Sequence, residues 1–439
     1  MKGGNVLKIK ERKTTPAPPG ARKAAASILL ACSLVILGHQ SSHATAINGN
    51  SETILRMREG VFDERLFPLY EYLNLSASDA AGPGAISLEI GGWGRVDLGD
   101  RSFEHRTDGD IQYGFLSYRA NRGNFTANAG RQWVVEGVGT ERIDGLHLRT
   151  DLLGGFTAAA YVGNPAVTQP DFDGGDLIYG GRLAHSMPKY YSIGVSALRT
   201  EVNGDGIREE EGVDLWLHPV ALVDITGRST YNSLTRGWME HAYTASFTPT
   251  EALRVSASLQ NVNYEDYFYQ VTTNTLSLTN GFISPGEEMW NVGGSVGFNA
   301  TKNIGLSAEY NHYEYDLAGA ADYYGVTGNF STTTGLAAGA SFHRMDGSSD
   351  RLRYNQYRAW ATQKFGPADI TLDFFDVDFD GSISGRENTF SLAAAAGYDF
   401  SRNLRVAADV DYIRSVDFDN ELRGLIRVSY AFGVGKEGK

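Results

Sequence analysis

The chain has 439 residues, with 39 Lys+Arg against 52 Asp+Glu and a net charge of −13 at pH 7. Its 52 Gly without a Gly-x-y period exclude collagen, its 21 Phe and 23 Tyr argue against disorder, and its acidic balance offers no basic field for nucleic acid. A mean hydropathy of −0.28 argues against a helical membrane protein but not against a membrane barrel, where only alternate residues face lipid.

The first segment reads as an export signal. Lys8, Lys10, Arg12, Lys13, Arg22 and Lys23 precede an apolar run from Ala24 to Gly38, and Ala44-Thr45-Ala46 offers the small residues that signal peptidase reads. Cleavage is expected after Ala46, with Ala44 the neighbouring alternative, so that 1–46 is removed and 47–439 forms the mature domain. Cys32, the single cysteine, lies inside the removed segment. The mature chain then has no thiol nucleophile, no disulfide framework and no Cys-x-x-Cys-His haem attachment.

From Thr53 onwards the pattern alternates with period two. Ile86, Leu88, Ile90 and Leu98 oppose Ser87, Glu89, Trp93, Arg95 and Asp97. Leu253, Val255, Ala257 and Leu259 oppose Arg254, Ser256, Ser258 and Gln260, and the same rhythm returns at 404–412 and 422–432. This reading places 21 strands, at 53–59, 66–78, 85–98, 110–120, 125–134, 144–152, 155–163, 176–186, 190–200, 212–218, 221–231, 235–248, 252–267, 288–299, 304–316, 335–345, 352–365, 369–379, 388–400, 404–416 and 421–432. Barrels in this class favour even numbers. Either 53–59 is a periplasmic lead-in or 317–334 hides a further strand, and turn-length bookkeeping favours the hidden strand.

Short connections such as 121–123, 187–189, 248–251 and 365–368 alternate with longer polar ones at 99–109, 134–143, 164–174, 201–211, 263–285 and 317–332. The fold class expected is all-β, a single transmembrane antiparallel barrel of about 18–22 strands with short periplasmic turns and longer extracellular loops. Its strands lie within 53–432, followed by a short tail, 433–439. Trp93, Trp133, Trp216, Trp238, Trp290 and Tyr430 stand near strand ends, as interfacial girdles require.

The terminal strand Val428-Ser429-Tyr430-Ala431-Phe432 resembles the closing aromatic signal of Gram-negative outer-membrane β-barrels. Gly130-Arg131-Gln132 is similar to the run that closes a hairpin in porin strands. The segments 91–98 and 137–145 resemble uncharacterised barrels of metal-reducing deltaproteobacteria. These resemblances imply a porin-like chain in the outer membrane of a Gram-negative bacterium, inserted by the barrel-assembly machinery and surrounded by outer-membrane lipid and lipopolysaccharide. Some barrels of such organisms sheathe multihaem cytochromes, which supplies an alternative partner.

If the apolar faces meet lipid, Glu89, Arg95, Asp97, Arg149, Arg254, Glu309, Arg405, Asp409, Asp411, Arg423 and Arg427 line the lumen. Charges at membrane depth are tolerated only towards water or a partner. The function read from them is passive diffusion of small polar solutes or ions, with the cytochrome sheath and a purely structural barrel as alternatives. His147, His185, His218, His241, His312 and His343 are scattered, and no Ser/His/Asp spacing suggests an enzyme. No cofactor is required by this reading. One motif stands apart: Asp376, Asp378, Asp380, Gly381, Ser382 and Glu387 match the ligand spacing of a calcium loop and resemble that of the EF-hand, although their flanks read as strands.

Overall fold

The computed structural model of the protein describes residues 45–59, 64–79, 85–102, 105–166, 175–268, 286–317, 319–418 and 420–434. Residues 1–44 of the expected signal segment, the tail beyond Val434 and parts of the loops at 164–174 and 263–285 lie outside the described residues. The strands run in chain order as β1 (Thr45–Glu59), β2 (Arg65–Leu66), β3 (Pro68–Asp79), β4 (Ala85–Asp97), β5 (Thr107–Arg119), β6 (Phe125–Glu136) and β7 (Gly139–Asp151). They continue as β8 (Phe156–Pro165), β9 (Leu177–Met187), β10 (Tyr191–Val202), β11 (Asp205–Val220), β12 (Val223–Asn232), β13 (Gly237–Thr250), β14 (Leu253–Asn263) and β15 (Glu288–Asn299). The remainder are β16 (Ile304–Tyr315), β17 (Gly319–Ser331), β18 (Leu336–Gly347), β19 (Arg353–Phe365), β20 (Ala368–Ile383), β21 (Arg386–Asp399), β22 (Leu404–Arg414) and β23 (Glu421–Val434).

Of these 23 strands, β2 is a two-residue segment that pairs with β1 alone. The other 22 pair with their chain neighbours, all antiparallel, and β1 closes the sheet by pairing with β3 on one side and β23 on the other. Closure removes both sheet edges, which is the way a sheet satisfies its backbone in lipid. The segment at 53–59 is therefore a wall strand, extended back to Thr45, and the hidden strand exists as β17.

The register carries the alternation around the wall. Ile86, Tyr118, Leu148, Ile193, Phe298, Leu306, Leu372, Leu392, Val410 and Tyr430 are exposed and share the apolar face. The polar face is the concave one, because Glu141 on β7 pairs with Arg208 on β11, and a contact between strands four apart can be made only across the inside of a curved wall. A circular wall of 22 strands about 4.8 Å apart and tilted about 40° is roughly 45 Å across, so side chains alone cannot fill it.

One rim is built from short turns such as 188–190, 221–222 and 251–252. The other carries longer connections, but three expected to be long or metal-binding are tight: Gly137-Val138, Asn203-Gly204 and Ser384-Gly385. Asn203 (φ 53°) with Gly204 (φ 87°), and Ser384 (φ 53°) with Gly385 (φ 84°), hold the left-handed pair that a two-residue hairpin needs. The expected loops at 134–143 and 201–211 are thus strand extensions. Beyond the apolar band both faces of a strand are wet, so alternation fades and its residues read as loop.

Candidate functional site: a wall hairpin turned into the lumen

β6 and β7 form a continuous ladder from Phe125↔Thr150 to Glu136↔Gly139. Glu136 therefore stands eight residues along from His147, about 26 Å for straight strands. Yet its Oε1 lies 3.1 Å from His147 Nε2 and 3.3 Å from Arg149 NH1. The hairpin must fold back on itself. The bend falls where Gly130, Gly145 and Gly163 stand in register on β6, β7 and β8. Gly130 has φ 127°, and a Cβ there would meet Gly114 O at 2.3 Å. A Cβ on Gly145 would meet Val162 O at 2.0 Å. Only glycine permits this backbone approach. The Gly130-Arg131-Gln132 run thus bends a strand and does not close a hairpin.

The underside of the folded hairpin packs on the inner wall. Val134 and Ile143 are fully buried with Tyr161, Ile178 and Leu198 from β8, β9 and β10. Val138 N donates to Ser196 Oγ at 3.0 Å, and Glu141 pairs with Arg208, which also grips Glu210 at 2.6 Å. This apolar cluster inside a hydrated barrel stabilises the inward position by hydrophobic burial. Beside it opens a cavity of about 530 Å³ lined by Glu136, Arg149, Arg182, Asp214, Arg228 and Thr244. Arg182 donates to both oxygens of Asp214, at 2.9 and 2.5 Å. Arg149 and Arg228 are 48 % and 57 % exposed while each holds one carboxylate, Glu136 and Glu240. Their remaining donors face the cavity.

All eleven residues expected on the lumen share the polar face by register, at different depths and in different states. Arg405 at one rim is held by Asp369 at 2.6 Å and Asp399 at 3.1 Å. Arg423 holds Glu421 at 2.5 Å, Arg427 lies 3.7 Å from Glu52, and Asp409 and Asp411 stand beside them on β22. Glu309 lies 2.9 Å from His343, Arg254 donates to Ser246 Oγ, and Glu89 accepts from Ser76 Oγ at 2.8 Å. Arg95 and Asp97 are buried under the following loop: Asp97 accepts from Ser102 N and Oγ, and Arg95 donates to His105 O. They anchor that loop and contact little water.

Glu136, Glu141, Arg182, Arg208, Asp214 and Arg228 were not among those eleven. Arg182, Asp214 and Arg228 obey the same alternation, whereas Glu136 and Glu141 sit in a stretch that reads as loop. The tryptophans divide. Trp238 and Trp290 lie on the outer face, but Trp93 lies tilted against Tyr70 on the inner face, Trp216 donates to Asp224, and Trp133 rides on the bent hairpin. Strand-end position alone does not tell the two faces apart.

The acidic motif lies on a plain hairpin. Asp376, Asp378 and Asp380 project from β20 on the side of Phe374 and Leu372, and Gly381 lies within β20 while the turn falls at Ser384-Gly385. Asp380 is gripped through both oxygens by Arg344 at 2.6 Å. Among the described residues no group of three or more His, Cys, Asp or Glu side chains is gathered as metal ligands, and Ser382 and Glu387 do not complete one.

Neither a protein-family model nor a curated protein sequence matches the chain. Among solved structures it is similar to OccAB4 of Acinetobacter baumannii, with 8 % identity over 90 % of this chain and 100 % of that one and a TM-score of 0.46. OccAB2 of the same organism gives 9 % identity, 90 % and 100 % coverage and 0.45. The translocation pore of the P pilus usher PapC gives 11 % identity, 89 % and 100 % coverage and 0.44. The closed antiparallel wall with an apolar outer face and a charged inner one is the architecture of outer-membrane porins.

Proposed function

We propose that the protein is a channel of the Gram-negative outer membrane through which small polar solutes or ions diffuse passively. The observation that carries this reading is the 530 Å³ cavity beside the folded hairpin, where Arg149 and Arg228 keep exposed guanidinium groups opposite carboxylates. A solute entering it exchanges hydration for charged hydrogen bonds of both signs. The hairpin narrows the passage, and the paired charges on the rest of the inner face keep it wetted without binding any one solute tightly. The closing aromatic strand suits insertion by the barrel-assembly machinery, and the apolar outer face suits lipid and lipopolysaccharide as surroundings.

The test is single-channel recording of the purified barrel in a planar bilayer. Stable ohmic conductance by a heat-modifiable protein recovered from outer membranes is the expected result. A barrel that never conducts when pure and co-purifies with a multihaem cytochrome overturns it in favour of a sheath.

A further inference from the structure

We propose that the β6–β7 hairpin is a gate with two seats, one folded into the lumen and one in the wall, where the open edge of β5 receives it. The proposal rests on the channel reading. β5 pairs with β4 as far as Val96↔Thr107, but with β6 only from Arg119↔Thr126 to Gly114↔Arg131. Among the described residues no strand pairs with the other edge of β5 from Thr107 to Tyr113. An open edge in a membrane barrel is costly and templates the addition of a strand.

The gap is bridged by side chains. Arg131 donates to Ile111 O at 3.0 Å and to Asp110 at 3.1 Å, and Arg142 reaches the same Asp110 at 2.9 Å. These bonds stand where a backbone ladder would run. Continuing the β5–β6 register by two residues sets Trp133 opposite Gln112 and turns Trp133 to the outer face, where Trp238 and Trp290 already lie. The edge therefore fits the segment that has left it. The inward seat has its own fastenings, Val138 N to Ser196 Oγ and Glu141 to Arg208. A fastened inward seat and an open wall edge that matches the same segment, joined by a glycine hinge, make a switch, since packed elements are bistable and not continuously deformable.

The test uses the full chain with Cys32→Ser as background. Val138→Cys with Ser196→Cys joins the inward seat, and Gln112→Cys with Trp133→Cys joins the wall seat. Both pairs are expected to form intramolecular disulfides, read by mass spectrometry on heat-modifiable protein. The oxidised inward pair is expected to hold a low conductance level that reduction releases to a higher one. Gly130→Ala, disfavoured at φ 127° but not in an extended strand, is expected to raise wall-seat cross-linking about tenfold. Complete cross-linking of Val138→Cys with Ser196→Cys and none of Gln112→Cys with Trp133→Cys, unchanged by Gly130→Ala, overturns the gate. That result stands whether or not the protein conducts, while absence of conductance in wild type counts against the channel reading alone.

Discussion

Arg351, on the connection between β18 and β19, donates to both carboxylate oxygens of Asp417, on the connection between β22 and β23, at 2.6 and 3.3 Å. The pair ties two loops 66 residues apart at one rim. The bond from Arg351 holds the Asp417 carboxyl below the usual carboxylate range. A depressed carboxyl contributes order that is fully present above the unfolded value of about 3.9 and is lost as pH falls through the folded value. The protection factor of the Val416 and Asp417 amides, the exchange rate corrected for its intrinsic pH dependence, is therefore expected to be flat from neutral pH down to the carboxylate range and to fall below it. Arg351→Gln should abolish that step; an unchanged profile would show that the ion pair does not order the loops.

Arg344 and Asp380 set the terms for calcium at residues 376–387. A cation using Asp380 must first displace the guanidinium that holds both its oxygens. As a proposal, calcium binding here is expected to give little or no heat in wild type and a measurable heat in Arg344→Gln, where the carboxylate is released. Calorimetric titration with magnesium as control decides it, and Glu387→Ala should remove any heat that appears. Silence in both proteins leaves an ion-paired hairpin.

The wall was legible in the residues because lipid imposes alternation: strands such as β14 and β22 carry aliphatic side chains at every second position. β17 was hard to read. Its Gly319, Gly325, Gly328, Asn329 and Ser331 mimic a loop, and its inner face holds Tyr323 and Thr327 without a charge. The bend in β6–β7 had no local signature, because Gly130 and Gly145 look like ordinary barrel glycines until register places them opposite each other. Side-chain pairs four strands apart, such as Glu141 with Arg208, depend on that bend and could not be read from spacing.

β1 begins at Thr45, whose register partner is Asp79, followed by Ala46↔Ser78 and Ile47↔Ala77. Cleavage after Ala46 would shorten this wall strand by two residues, whereas cleavage after Ala44 keeps it whole. N-terminal sequencing of protein extracted from outer membranes is expected to start at Thr45. A start at Ile47 would show that the last two ladder positions are dispensable.

Arg405 neutralises two carboxylates, Asp369 and Asp399, so its removal uncovers more charge than it deletes. Arg405→Ala is expected to shift the reversal potential in a salt gradient towards cation preference. Arg427, 3.7 Å from Glu52 and 46 % exposed, holds its partner more loosely, and Arg427→Ala should shift it less. Equal shifts, or a shift towards anions with Arg405→Ala, would mean that these pairs do not face the permeating ions.

Ile143 is fully buried beneath the folded hairpin, against Ile178 and Leu198, so its packing belongs to the inward seat and hardly to the wall. Truncating a buried isoleucine to alanine costs about 2–5 kcal/mol. Here the loss falls on the hairpin, while the ladders from β8 round to β5 keep their bonds. Ile143→Ala is expected to leave heat-modifiable migration intact and to make the conductance noisier and higher on average. Val410→Ala, at an exposed position on the outer face, removes a comparable aliphatic side chain and should change neither property. A quiet channel of wild-type conductance in Ile143→Ala would place the constriction elsewhere in the lumen; loss of the folded barrel would show that the hairpin core supports the wall itself.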